Sequence, residues 1–184
     1  VIDGAKAMRR AILDVFGKRA LIQRCQIHKE RNVLGHLPEQ KKPSVRRVLH
    51  DACRATNVKT ARRRLEALAG SLDAEYPSAA ASIREGLDEL FTVKRLGLSQ
   101  VLERSLSTTN AIENGNNGIR RITGRVKRWR GGSMILRWIG AALRELQGSF
   151  HRIKGFTSMP QLIAALRAHD AAIDPPVDAA EKVA

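Results

Sequence analysis

From Lys29 to about Gln100 the apolar residues return at helical spacing. Val45, Val48, Leu49 and Ala52 mark one face. Val58, Ala61, Leu65, Leu68 and Leu72 mark a second, and Ile83, Leu87, Leu90 and Phe91 a third. Pro38, Pro43, Gly70 and Pro77 fall between them as breakers. A run of about 70 residues patterned in this way predicts a compact all-helical unit, large enough to be an inserted subdomain.

The segments on either side read differently. Val1-Ile2 is apolar and runs into Asp3-Gly4, a turn signal, so Asp3 is expected at the C-terminal end of a strand. Ala5, Met8, Ile12, Val15 and Phe16 recur at helical spacing up to Gly17, and Ala20-Leu21-Ile22 reads as a second short strand ending near Cys25. Strand, helix and strand in so short a span predict a parallel crossover unit. Ser107 to about Ile122 predicts a further helix. Ser133 is expected to cap another, with Ile135, Trp138, Ile139, Ala142, Leu143 and Leu146 as its buried stripe. Phe150 to Gly155 reads as a connector, and Leu162, Ile163 and Leu166 as a last short helix. The tail with Pro175-Pro176 reads as disordered. Because the chain opens on Val inside an apparent strand end, the N-terminus of a larger protein is expected to be missing. The predicted class is α/β, mostly helical: two short parallel strands plus helices, with an all-α insertion.

Charge points to a partner. Lys and Arg number 33 against 18 Asp and Glu, a net charge of +15 with a pI near 11.0. A field of that sign favours polyanions, nucleic acid first, over the plainer reading of a basic protein with no such partner. Cys25 and Cys53 are the only cysteines. Two thiols do not suggest a secreted disulfide scaffold, no secretory leader is expected, and no apolar run approaches membrane-spanning length. The chain reads as cytoplasmic.

Three groups of residues can carry chemistry, and each has a structural alternative. Asp3 beside Gly4 is able to reach a metal, or forms an ordinary Asp-Gly turn or helix cap. Asn110, Glu113, Asn114 and Asn117 share one helical face that Arg120 and Arg121 continue. Such a face suits phosphates, bases or a metal-bound water, but Asn110 and Glu113 also have the spacing of a capping box. Cys25-Gln26-Ile27-His28 has the form of half a zinc site, yet no second pair with matching spacing follows. A buried thiol with a structural histidine is the preferred reading, and zinc is not expected. After Glu113 come Arg120, Arg121, Arg125, Lys127, Arg128 and Arg130, interleaved with Ile122, Val126 and Trp129. These cations are expected to meet phosphates. Trp129 is suited either to stacking on an unpaired base or to the core, and Trp138 is assigned to the core. Arg62-Arg63-Arg64 forms either a second contact patch or a solvated helix face.

Taken in order, these motifs resemble one family, the Mutator-type transposases of bacterial insertion sequences. The resemblance rests on Val1-Ile2-Asp3-Gly4-Ala5-Lys6, on Gln23-Arg24-Cys25-Gln26-Ile27-His28-Lys29-Glu30-Arg31-Asn32 and on Ser107-Thr108-Thr109-Asn110-Ala111-Ile112-Glu113. It continues through Val126-Lys127-Arg128-Trp129 and Leu136-Arg137-Trp138. It implies a ribonuclease-H-like catalytic core with a DDE triad, in which Asp3 matches the second Asp and Glu113 the Glu. Cys25 and His28 match a signature whose role is structural or positional. Residues 1–28 and 103–150 would be a partial ribonuclease-H-like core, 29–102 the helical insertion, and 151–184 a C-terminal helix and tail.

The implied chemistry is DNA strand cleavage and transfer with Mg²⁺, by a protein that is a homo-oligomer when complete and bacterial, nucleoid-associated in location. Asn110, Asn114 and Asn117 and the six cations would contact DNA at element ends and target. The first Asp is expected before Val1, so the chain would hold at most two of three metal-ligating carboxylates. Alone it would bind DNA weakly, cleave nothing and be poorly stable. The rival reading is a non-catalytic DNA-binding remnant or helical nucleic-acid-binding module. A helical adaptor without salt-sensitive DNA affinity is a third.

Overall fold

The structure is a computed structural model and describes residues 1–174. Ten α-helices make up most of it: α1 Lys6–Phe16, α2 Gln26–Gly35, α3 Lys42–Arg54, α4 Val58–Leu72, α5 Pro77–Arg84, α6 Thr92–Arg95, α7 Gln100–Leu106, α8 Asn110–Thr123, α9 Gly132–Gln147 and α10 Met159–Ile173, with 3₁₀ turns at Gly17–Arg19, Asp88–Phe91 and Phe156–Ser158.

The apolar faces read from the sequence between Val45 and Phe91 become one core. Val45, Leu49 and Ala52 of α3, Ala61, Leu65, Ala69 and Leu72 of α4 and Ala79, Ala80 and Ile83 of α5 close on Val33 and Leu34 of α2 and on Leu90 and Phe91. Small alanines let α4 and α5 approach closely, and Leu65, Ile83 and Phe91 fill the volume between. Pro43 and Pro77 fall in the first turns of α3 and α5, where a missing N–H costs nothing. Gly70 breaks nothing: α4 continues through it to Leu72. A smaller cluster of Val93, Leu98 and Leu102 is covered by Met159 and Leu162 of α10.

The expected α/β class with a partial ribonuclease-H-like core is not what the described residues adopt. They contain no strand and no sheet. The two expected parallel strands are reduced to one parallel bridge between Ile2 and Arg24. The Ile2 N–H donates to the Gln23 carbonyl at 2.9 Å, and the Cys25 N–H donates to the Ile2 carbonyl at 2.7 Å. The ladder ends there for two reasons. Gly4, at φ +113°, turns the chain away. Two backbone groups next to the bridge are taken by the 88–92 segment: the Arg24 N–H donates to the Glu89 carbonyl at 2.8 Å and the Thr92 hydroxyl donates to Ile22 O at 2.7 Å, while the Gln23 side chain donates to Leu90 O at 2.9 Å. Residues 20–25 thus form no ladder beyond the single bridge, and they link the start of the chain to the helical core.

Two more expectations need correction. The buried stripe predicted for α9 is largely exposed. Only Ala142 and Leu146 are buried, because α9 packs chiefly against α8, and Trp138 is 42% exposed rather than core. Helix α9 begins at Gly132 after Gly131, with no cap from Ser133. The expectation of a disordered tail at Pro175-Pro176 lies outside the described residues.

Candidate functional site

Thr109, the residue just before α8, joins the signature residues to the acid. Cys25 is fully buried at the end of the extended segment, and its Sγ accepts the Thr109 N–H at 3.4 Å and the Thr109 hydroxyl at 3.3 Å. His28 lies one turn into α2, and its Nδ1 is 3.3 Å from the same hydroxyl oxygen. The Thr109 hydroxyl has one proton, which Glu113 Oε1 and Cys25 Sγ compete to accept, and His28 Nδ1 is 3.6 Å from that carboxylate oxygen. One small buried hydroxyl therefore ties Cys25, His28 and Glu113 into a single cluster. Below it the Gln26 N–H donates to Ser107 O at 3.0 Å, which locks the start of α2 to the end of α7.

The environment of Cys25 follows from this. Burial pushes the thiol's pKa up, but hydrogen bonds from Thr109 and from His28 stabilise the charged sulfur, and the net effect is a pKa below the ordinary thiol value.

Asp3 is attached to the cluster through the backbone, since the residue before it pairs with Cys25. Its side chain is exposed, and Oδ1 accepts the Ala5 N–H at 3.0 Å, the Asp-Gly turn of the plainer reading. The turn is fixed from below by Arg24. A Cβ on Gly4 would lie 2.9 Å from the guanidinium. Arg24 is itself buried and pairs with Glu85 at 3.1 Å. Lys29 is buried beside it and donates to the carbonyls of Ser82 and Glu85, the latter at 2.6 Å. Burial together with the Arg24 charge lowers the Lys29 pKa to about 8, while Glu85 and Glu89 oppose that shift.

The expected capping box does not form with Asn110. The helix begins at Asn110, Thr109 is its cap, and Thr109 reaches Glu113 by a side-chain contact. Asn110, Asn114 and Asn117 are exposed on α8, as are Arg120 and Arg121 in its last turn and Arg125, Lys127, Arg128 and Arg130 in the connector beyond. Among the described residues none of these six cations enters an ion pair, whereas Arg62 is spent on Glu66 and Asp88. The structure thus brings Cys25, His28 and Glu113 together, places Asp3 one residue past the Ile2–Cys25 hydrogen bond with its carboxylate on the Ala5 N–H, and leaves the asparagines and cations facing solvent.

Spacing alone does not single out Thr109, Arg24 or Lys29. The available signal for Thr109 was a hydroxyl placed immediately before the Asn-rich helix. Arg24 and Lys29 flank the Cys-x-x-His pair, and Arg24 is a charged residue where a strand end should be apolar.

Asp3 and Glu113 suit Mg²⁺ in donor chemistry. Both are hard carboxylates open to water, and each has one oxygen without a hydrogen bond among the described residues. Mg²⁺ keeps several waters and needs only one or two protein carboxylates. Among the described residues no three His, Cys, Asp or Glu side chains form a closed metal cage.

The family profile described as "Transposase, Mutator family" matches residues 1–152, and the chain belongs to that family. It is 32% identical over 111 residues to the transposase for insertion sequence element IS6120 of Mycolicibacterium smegmatis, covering 60% of this chain and 33% of that protein. It is 29% identical over 125 residues to the transposase for insertion sequence element IST2 of Acidithiobacillus ferrooxidans, covering 68% of this chain and 41% of that protein. The matches therefore span well under half the length of either relative. No solved structure matches the chain significantly. No helix among the described residues is long and apolar enough to cross a membrane.

Proposed function

We propose that this chain is the part of a DDE-type transposase that supplies two carboxylates, Asp3 and Glu113, and the DNA-holding surface beside them. The carrying observation is the Thr109 cluster. It uses buried hydrogen-bonding capacity to fix Glu113 at the head of a helix whose far end is cationic and, among the described residues, free of ion pairs. A merely solvated Glu needs no such support.

Asp3 and Glu113 would hold Mg²⁺, which when bound supplies Lewis-acid charge for phosphodiester cleavage and transfer. The chain's own residues do the rest. Thr109 and His28 set the direction of the Glu113 carboxylate. Asn110, Asn114 and Asn117 offer neutral hydrogen bonds along the same helix. The cations from Arg120 to Arg130 hold the DNA backbone, which positions DNA without reading its sequence.

The test is made in the longest protein encoded through this chain. Glu113→Gln should abolish Mg²⁺-dependent strand cleavage and leave DNA affinity within about twofold. Cleavage that survives would remove Glu113 from the site. The rival, DNA binding without catalysis, has the Asp3 turn in its favour, since that carboxylate has a structural use already. It predicts that neither Asp3→Asn nor Glu113→Gln changes any DNA reaction.

A further inference from the structure

We infer that the connector between α8 and α9 is a stacking platform for unpaired DNA bases, so that the substrate held beside Glu113 is a strand end whose bases are splayed out of the duplex. The inference rests on the reading of the chain as a DNA-acting protein and adds the form of the DNA.

Residues 125–131 carry no helix or strand, and within them Trp129 is 41% exposed. An indole in an ordinary connector is normally folded under a neighbouring helix, because exposing so large an apolar ring is unfavourable. Here it lies between Arg128 and Arg130, with Arg125 and Lys127 before it, and none of these enters an ion pair among the described residues. Among the described residues no cation lies over the indole. The cation–π contacts among the described residues are Lys41 over Tyr76 and Arg152 over Phe156.

An exposed aromatic ring flanked by unpaired cations has the composition of a single-strand site: cations follow the backbone, and the ring takes the face of a base. Duplex DNA offers phosphates to the cations but no base face to the ring. Placement agrees with the inference. Glu113 to Thr123 is roughly 15 Å of helix at ~1.5 Å per residue, so the platform begins a few nucleotides from the carboxylate. Gly118 seats that helix tightly on α9, where a Cβ would lie 2.7 Å from Leu146.

The chain has two tryptophans, which makes the test direct. Trp138→Phe leaves Trp129 as the sole indole reporter. A short oligothymidylate strand should quench its fluorescence, and a duplex of the same length should not. Trp129→Ala should weaken single-strand affinity about tenfold and leave duplex affinity within about twofold, while Trp129→Phe keeps most of the single-strand affinity. Circular dichroism should be unchanged, since the ring supports no core. Equal losses on single strand and duplex, or no quenching, would overturn the inference while leaving DNA binding intact. Absence of salt-dependent binding to either DNA would overturn it together with the reading it rests on.

Discussion

Thr109 gives its backbone N–H to the sulfur of Cys25, a residue 84 positions earlier in the chain, and holds its hydroxyl oxygen 3.3 Å from the same atom. The same hydroxyl meets His28 and Glu113, so the Cys-x-x-His signature acts on the acid through a residue outside the signature.

Removing that hydroxyl should be felt at once. Thr109→Val keeps the shape and removes the hydroxyl that meets His28, Glu113 and Cys25. The expected loss is about 1–3 kcal/mol of folding stability, read from urea unfolding, with Thr109→Ser retaining most of it. A neutral Thr109→Val would show that the cluster contributes nothing to the fold.

Lys29 sets a pH dependence. Its folded pKa, about 8, lies below the ordinary lysine value of 10.5. Between those values the unfolded chain holds a proton that the folded chain has released, so stability should rise as pH climbs from about 8 toward 10.5. The gain should be on the order of 2 kcal/mol, and it should be absent in Lys29→Met. Thermal unfolding across that window measures it, and a flat or falling profile would contradict the assignment.

Gly155 sits at φ +82°, and a Cβ there would lie 2.6 Å from the Leu102 backbone nitrogen. Gly155→Ala should cost about 2–4 kcal/mol, because both the backbone conformation and the contact resist it. Differential scanning calorimetry checks this. An unchanged Tm would mean that the 148–155 connector does not rest on α7.

Single cation removals should act on salt dependence and not on sequence preference. Arg128→Ala should reduce the slope of log affinity against log salt by about 1 and weaken duplex and single-strand binding alike. Arg62→Ala, whose guanidinium is already paired with Glu66 and Asp88, should leave that slope unchanged.

The helical core was legible because its code is local. Leu49, Leu65 and Ile83 sit one helical turn from other apolar residues, and burial followed the stripe. The same rule failed on α9, where Trp138 and Leu143 have the right spacing but stay about two-fifths exposed. Periodicity states which face is apolar and is silent on whether anything covers it. The short strands failed for a related reason. Ile2 and Ile22 have strand-like neighbours, but a ladder needs consecutive free backbone groups, and Glu89 and Thr92 had already engaged those on Arg24 and Ile22. At the site, Asp3, Cys25, His28 and Glu113 were identifiable as residues of interest. Their linkage through Thr109 was not, because it joins segments that only the folded chain brings together.

That linkage closes a long loop. Bringing Cys25 and Thr109 together costs roughly 4 kcal/mol of chain entropy for a span of this length, yet doubling the span would add only about 0.6 kcal/mol. The helical stretch between them is therefore nearly free to change in size, provided its two ends return to the Gln26–Ser107 hydrogen bond. Length variation in this protein's relatives should concentrate between those two residues and spare the few positions on either side of the closure.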